Sequence, residues 1–558
     1  MVFINRSILN RFEVAIKMKS GTKNNILIAA GYSVVLILGL ILGPKLVLEN
    51  QNSRNGSFLP LGLSNRSAKV EQVIQIINEN YVDSIKLDTV QDIAIQEILN
   101  QLDPHSAYLA PEEAQLMSDD LEGNFNGIGI EYYILNDTLL ITSVNSGGPA
   151  FKAGLRSGDK ILAINKKSVS GIRITSRMVV EQIRGKKGSL VELLVKRESL
   201  NKNFNVLRDR IVISSIDANY MIGDQTGYVK ISKFGAQTDE DFHVSVLKLK
   251  KQGMKNLILD LRDNGGGYLN SATALADEFL KDKELIVYTE GLHEPRTDYF
   301  ASSKGEFEDG KLVVLIDENT ASASEIVAGA VQDLERGIII GRRSFGKGLV
   351  QEQYDFGDGS ALNLTIARYY TASGRSIQKS YKKGNDAYYG EVNDRRKNGE
   401  LSSDKKSLSD SLFSNNKSYA TKSGKLVYGG GGIMPDIFIP VDTSAYTALY
   451  RSLTLKGVLN EMLYRHLIRN NQKYNSAEEI IRNFVLNNQD VKKIIQIATS
   501  RKIKANSIQL QTSRNEIETQ LKALLTRYYF GDEGYYKALN SEDQAISRSL
   551  EVFKVSAL

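Results

Sequence analysis

Two apolar runs, Val313 to Ile316 and the GIIIG of Gly337 to Gly341, bracket a helical repeat, and this order constrains the chain more than any other stretch. The first run is β-branched and ends in Asp317-Glu318-Asn319-Thr320, residue types that close strands and cap helices. Ile326, Val327, Ala330, Val331 and Leu334 then recur at helical spacing, so an amphipathic helix is expected from about Ser322. Strand, helix and strand in this order belong to an α/β core. Ser322 falls at the positive end of the helix, where free N–H groups can stabilise a developing oxyanion. The second run leads to Ser344-Phe345-Gly346-Lys347-Gly348, which sets a lysine between two glycines. GRRSFGKG also approaches the phosphate-loop pattern, but Gly348 stands where that pattern needs a hydroxyl, and Leu349 to Phe356 reads as a strand.

The rest of the chain divides by pattern. At 558 residues there is room for about three or four domains. A net charge of +6 spread over that length gives no basic face for nucleic acid, and zero cysteines remove disulfides, thiolate catalysis and cysteine-based zinc sites. No metal site or cofactor is expected. Ile26 to Gly43 is an 18-residue stretch without a charge, preceded by Arg6, Arg11, Lys17, Lys19 and Lys23. It reads as a single membrane anchor with residues 1–25 in the cytoplasm and the remainder outside, at a bacterial inner membrane with a periplasmic catalytic domain; a cleaved signal peptide is the alternative. Residues 44–67 are a polar linker, and 68–124 a small helical domain in which His105, beside a proline turn, is taken as structural.

Residues 125–200 have short β patterns (IGIEYYI, TLLITSV, DKILAI, LVELLVKR), a helix-like stretch from Ser176 to Ile183, and the run SGGPAFKAGLRSGDKILAIN. This segment resembles a PDZ domain. The resemblance implies a carboxylate-binding loop at Gly127, Ile128, Gly129 and Ile130, and a sheet edge that accepts a protein's C-terminal tail as an added strand.

Further on, a buried strand at Asn256 to Leu261 ends in Arg262-Asp263-Asn264-Gly265-Gly266-Gly267, a place where α/β folds set ligand groups. With DLRDNGGG, SASE, SFGKG, SGRSIQK and GGIMPDI in one order, the chain resembles the carboxyl-terminal processing (tail-specific) proteases from about Ala68 to Pro440. The implied fold is multidomain α+β: the helical domain, the PDZ-like domain, a crotonase/Clp-protease-like α/β catalytic core over 201–378 and 424–443, and a helical C-terminal region over 444–558. Residues 379–423 interrupt the core as a polar surface insert.

The resemblance makes Ser322 the nucleophile of a serine endopeptidase, Lys347, 25 residues later, its general base, and Gln351 the support of the lysine. Oxyanion donors would be the N–H of Ala323 and one from Gly266 or Gly267, the choice left open. Ser324 competes as nucleophile. A serine hydroxyl needs a base, and lysine serves only if burial lowers its pKa from about 10.4 towards 7 or 8. Glu325 and Glu352 should therefore point elsewhere. Rival readings are a membrane-tethered PDZ adaptor without catalysis, and the same fold with a Ser-His pair using His243 or His293. Expected partners are protein substrates held by their tails and the membrane, with a homo-oligomer through the C-terminal region kept as an option.

Overall fold

The computed structural model describes residues 68–302, 305–402, 417–468 and 473–555. The expected anchor at 26–43 lies outside them, and among the described residues no helix is long and apolar enough to cross a membrane. Two compact units are present, Met1–Asp88 and Thr89–Leu558. In the first, α1 (Ala68–Asn80) is described. Next along the chain come α2 (Leu87–Asn100), the short strand Ala107–Leu109 and α3 (Pro111–Leu121), with Pro111 at a first-turn position that needs no N–H.

The PDZ segment is a sheet of β1 (Ile130–Ile134), β2 (Leu139–Val144), β3 (Lys160–Ile164), β4 (Leu190–Arg197) and β5 (Leu200–Leu207), in that spatial order, closed by helix α4 (Ser176–Ile183). Alternation decides which side chains turn inward: Val191, Leu193 and Val195 of β4 join Ile141, Ile161, Val179 and Ile183 in one core, with charged neighbours facing out. Thr175 caps α4 by accepting from the Met178 N–H. β5 pairs with β4 along its whole length, so the sheet runs past the expected boundary at 200 to Leu207.

The α/β core is built on a six-stranded sheet: β6 (Ile216–Ile222), β7 (Thr226–Ile231), β8 (Asn256–Asp260), β9 (Lys311–Ile316), β10 (Ile338–Gly341) and β11 (Ile437–Phe438). From β7 to β11 all pairings are parallel. Such strands are covered on both faces and read as unbroken apolar runs, which is why VVLI and LIL carry no alternation. One face packs on α5 (Thr238–Lys251), α6 (Leu269–Asp277) and α7 (Ala323–Asp333). On the other face Tyr228, Ile258, Val313, Leu315 and Ile340 meet Ala545, Ile546 and Phe553 from the end of the chain.

α7 was expected to be amphipathic, yet every residue from Ala323 to Asp333 is buried. Its polar side faces the strand Ala361–Thr371 and the segments after it, where Asp333 pairs with buried Arg375 at 2.7 Å and Gln332 donates to the Met434 carbonyl. The described residues of the 379–423 insert also depart from expectation. They include α8 (Asn385–Lys397), whose Tyr388 and Arg395 are buried, as are Lys379 and Glu400. The charges that suggested a solvated excursion instead find partners in distant segments.

The C-terminal region is helical, as its apolar spacing indicated. It ends in α9 (Arg514–Asn540), kinked at Gly531, and α10 (Gln544–Val555).

Candidate active site

Ser322 caps α7 in a backbone conformation, φ 56° and ψ −118°, that a residue with a Cβ adopts only when its surroundings compel it. Its N–H donates to Glu325 Oε2 at 2.8 Å, and its carbonyl accepts from the Tyr369 hydroxyl at 3.0 Å. Both anchors also hold Lys347: its N–H donates to the same Glu325 Oε2 at 2.9 Å, and its carbonyl accepts from the same tyrosine hydroxyl. Glu325 Oε1 receives the Gly346 N–H at 2.8 Å and the Ser344 hydroxyl. One carboxylate and one phenol therefore bring together the two segments that the sequence separates by a helix and a strand.

The Gly-rich turn after β8 lies against this pair. A Cβ on Gly266, at φ +103°, would stand 2.7 Å from Ser322 Cβ and 3.0 Å from the Ala323 nitrogen, so only glycine permits the approach. The Gly266 N–H donates to Asn264 Oδ1 at 2.9 Å, whereas the N–H groups of Gly267 and Ala323 have no acceptor among the described residues. Ser324, the competing serine, is fully buried and donates to the Asn264 carbonyl at 3.1 Å.

Other expectations are redistributed. No hydrogen bond joins Ser322 Oγ to Lys347 Nζ, and the Gln351 amide donates to Thr365 Oγ1 at 3.2 Å rather than meeting the lysine. Thr365 in turn donates to Asp103, which also holds His105 and Ser106 by their N–H groups. His243 pairs with Glu278 at 2.8 Å, and His293 is exposed in the turn before the strand Thr297–Phe300.

At the PDZ end, Ile128 and Gly129 have N–H groups without acceptors among the described residues, while their carbonyls receive Ala150 and Asn145. β1, the strand that follows, is an edge of its sheet.

The peptidase family S41 profile matches residues 225–384, the PDZ profile 126–207, and a family of unknown function 449–531. A probable CtpA-like serine protease of Staphylococcus epidermidis is 32% identical over 363 residues, covering 64% of this chain and 73% of that protein. The chain belongs to the CtpA-like serine proteases of family S41. A Staphylococcus aureus relative of the same description is 35% identical over 311 residues, 55% of this chain, which spans 62% of that relative's length. A solved photosystem II D1 C-terminal processing protease aligns over 56% of this chain and 90% of its own, at 27% identity and a TM-score of 0.32.

Within this S41 site, burial pulls the Lys347 amine below the usual lysine range, against the opposing fields of Glu325 and Asp103. Burial also pushes the Glu325 carboxyl up to about 6, although four hydrogen bonds favour its anion. The expectation that Glu325 points elsewhere is thus corrected: it sits beside the lysine, but its oxygens are taken by backbone N–H groups and Ser344 instead of the amine. Glu352 does point away, accepting from Tyr354 at 2.7 Å on the surface. His105 keeps a structural place, hydrogen-bonded to Tyr388, while burial and the Lys347 charge push its imidazole down to about 4. Nothing local in PHSAYL marks that proximity, since Lys347 lies some 240 positions away. The S-x-x-E spacing from Ser322 to Glu325 was a legible signal, because that pattern marks a reciprocal cap.

Proposed function

We propose that the chain is a serine endopeptidase that takes protein substrates by their C-terminal tails and cleaves them with Ser322 and Lys347. The observation that carries this reading is the shared anchoring of both residues by Glu325 and Tyr369, which fixes nucleophile and base loops relative to each other. In the reaction neutral Lys347 takes the Ser322 proton as Oγ attacks the scissile carbonyl. The lysine then passes that proton to the leaving amine, and water hydrolyses the acyl-enzyme. Ala323 and Gly267 are the assigned oxyanion donors, since their N–H groups are unspent while that of Gly266 is not. Gln351 acts through Thr365 on Asp103, whose charge acts on the amine. Ser322 Oγ and Lys347 Nζ share no hydrogen bond in this unliganded chain, and in this reading they come within hydrogen-bond reach in the substrate complex.

The PDZ segment presents Ile128 and Gly129 N–H groups to a terminal carboxylate, and β1 as the edge that the tail extends. In this reading the 26–43 segment tethers the enzyme to the bacterial inner membrane with the protease on the periplasmic side; the support is the run of basic residues before it. Replacing Ser322 or Lys347 by alanine abolishes peptide cleavage and leaves the thermal unfolding profile in place. Full activity in either variant sinks the assignment.

A further inference from the structure

The loop from Arg342 to Gly348 carries Lys347 without regular secondary structure, so its carbonyls need donors from outside. Three successive ones are met by a single guanidinium. Arg395 of α8, 2% exposed, donates to the carbonyls of Arg343 at 3.1 Å, Ser344 at 2.8 Å and Phe345 at 3.3 Å. Its Nε is fixed by Glu391 at 2.7 Å, one turn earlier on the same helix. The planar fork of arginine suits several acceptors at once in a way that a lysine ammonium does not.

The same helix grips the other wall of the site. Tyr388 lies edge-on to Phe345, with ring centres 5.6 Å apart, and shares a 2.8 Å hydrogen bond with His105 Nε2. The Tyr389 hydroxyl donates to the Pro104 carbonyl. α8 therefore touches both the base loop and the 103–106 turn.

We infer that α8 is a strap that positions the general base, with Arg395 as the positioning residue that holds the Lys347 loop. The inference rests on the reading of Lys347 as base. It gives α8 a task that its composition does not suggest.

Release of the loop admits water to the amine, and its pKa returns towards the ordinary lysine value. The charged groups that act on the amine are Glu325 from α7 and Asp103 and His105 from the 103–106 turn, with Lys379 over the Phe345 ring, its Nζ 3.6 Å from the ring centre. Arg395→Lys keeps the charge at its position and gives up the fork. Tyr388→Phe removes one hydroxyl and keeps the ring.

The test is the pH dependence of kcat and KM for peptide cleavage by the full chain carrying each substitution. Arg395→Lys is expected to lower kcat at neutral pH by roughly 10- to 100-fold, the scale of a small misplacement of a reacting group. KM should stay within about twofold, because binding is not the step affected. The acid limb of kcat should move up by about one pH unit, with part of the loss recovered in alkaline buffer. Tyr388→Phe should shift the same limb in the same direction by less, and it decides alone if Arg395→Lys does not fold. A limb at its wild-type position in the variants, or a rise in KM with kcat unchanged, overturns the strap. Lys347→Ala separates the two ideas: pH-dependent cleavage in that variant removes the base reading itself, whereas an inactive Lys347→Ala beside a wild-type limb in Arg395→Lys removes only the strap.

Discussion

Glu325 is the residue on which both halves of the site converge, and its chemistry sets a measurable pH effect. Its carboxyl is fully buried and titrates at about 6 in the fold, above the 4.5 of an exposed glutamate. The folded state thus holds this proton more tightly than the unfolded chain does. Its stabilising contribution is present below about 4.5 and is lost as pH rises through about 6, roughly 2 kcal/mol in all. Glu325→Gln cannot titrate. Denaturant unfolding at pH 4 and pH 7 should show the difference between wild type and Glu325→Gln shifting by about 2 kcal/mol in the variant's favour at the higher pH. An unchanged difference means that the carboxylate is better solvated by its four donors than burial suggests. That Ser322, Lys347 and the glycine turn lie together was legible at this scale because family motifs carry them. Tyr369 and His105 were not, since their parts in the site come from contacts with residues far along the chain.

The elements were legible wherever one physical rule governed a segment. Alternation gave the PDZ strands, and unbroken β-branched runs gave the parallel sheet. α7 escaped as an amphipathic helix because it is enclosed on both sides, and its polar residues are matched by Arg375, Ser344 and backbone rather than by water. α8 escaped because its charges have partners in Arg343 and the base loop, which no local pattern reveals. α10 carries a testable weight of its own. Phe553 sits with Ala545 and Ile546 over Tyr228, Val313 and Ile340, and covers the outer face of the sheet. Phe553→Ala should cost about 3 kcal/mol by chemical denaturation, the usual scale for emptying a buried aromatic site. A loss under about 0.5 kcal/mol, the range of surface changes, would show that α10 is not part of the fold's stability.

At the scale of the whole molecule, the helical C-terminal region joins the PDZ segment to the core. Arg527 of α9 pairs with Glu131 of β1 at 3.0 Å, and beyond the Gly531 kink Tyr536 donates to Asp217 and Asn540 to Tyr220 on β6. Glu131 points to the outside of the PDZ sheet, so this brace leaves the other face of β1 to the core shared with α4. A peptide with a free C-terminal carboxylate should bind this segment, and its C-terminal amide should bind about 10- to 100-fold more weakly, the value of hydrogen bonds to a charged group. Equal affinities by calorimetry would remove the tail-capture role. The central claim, that Ser322 is a nucleophile made reactive by Lys347, is tested most directly by covalent labelling with a fluorophosphonate probe, followed by peptide mass mapping. The predicted result is one adduct on Ser322 in the wild type and none in Lys347→Ala; an adduct on another serine, or equal labelling of Ser322 without the lysine, would contradict it.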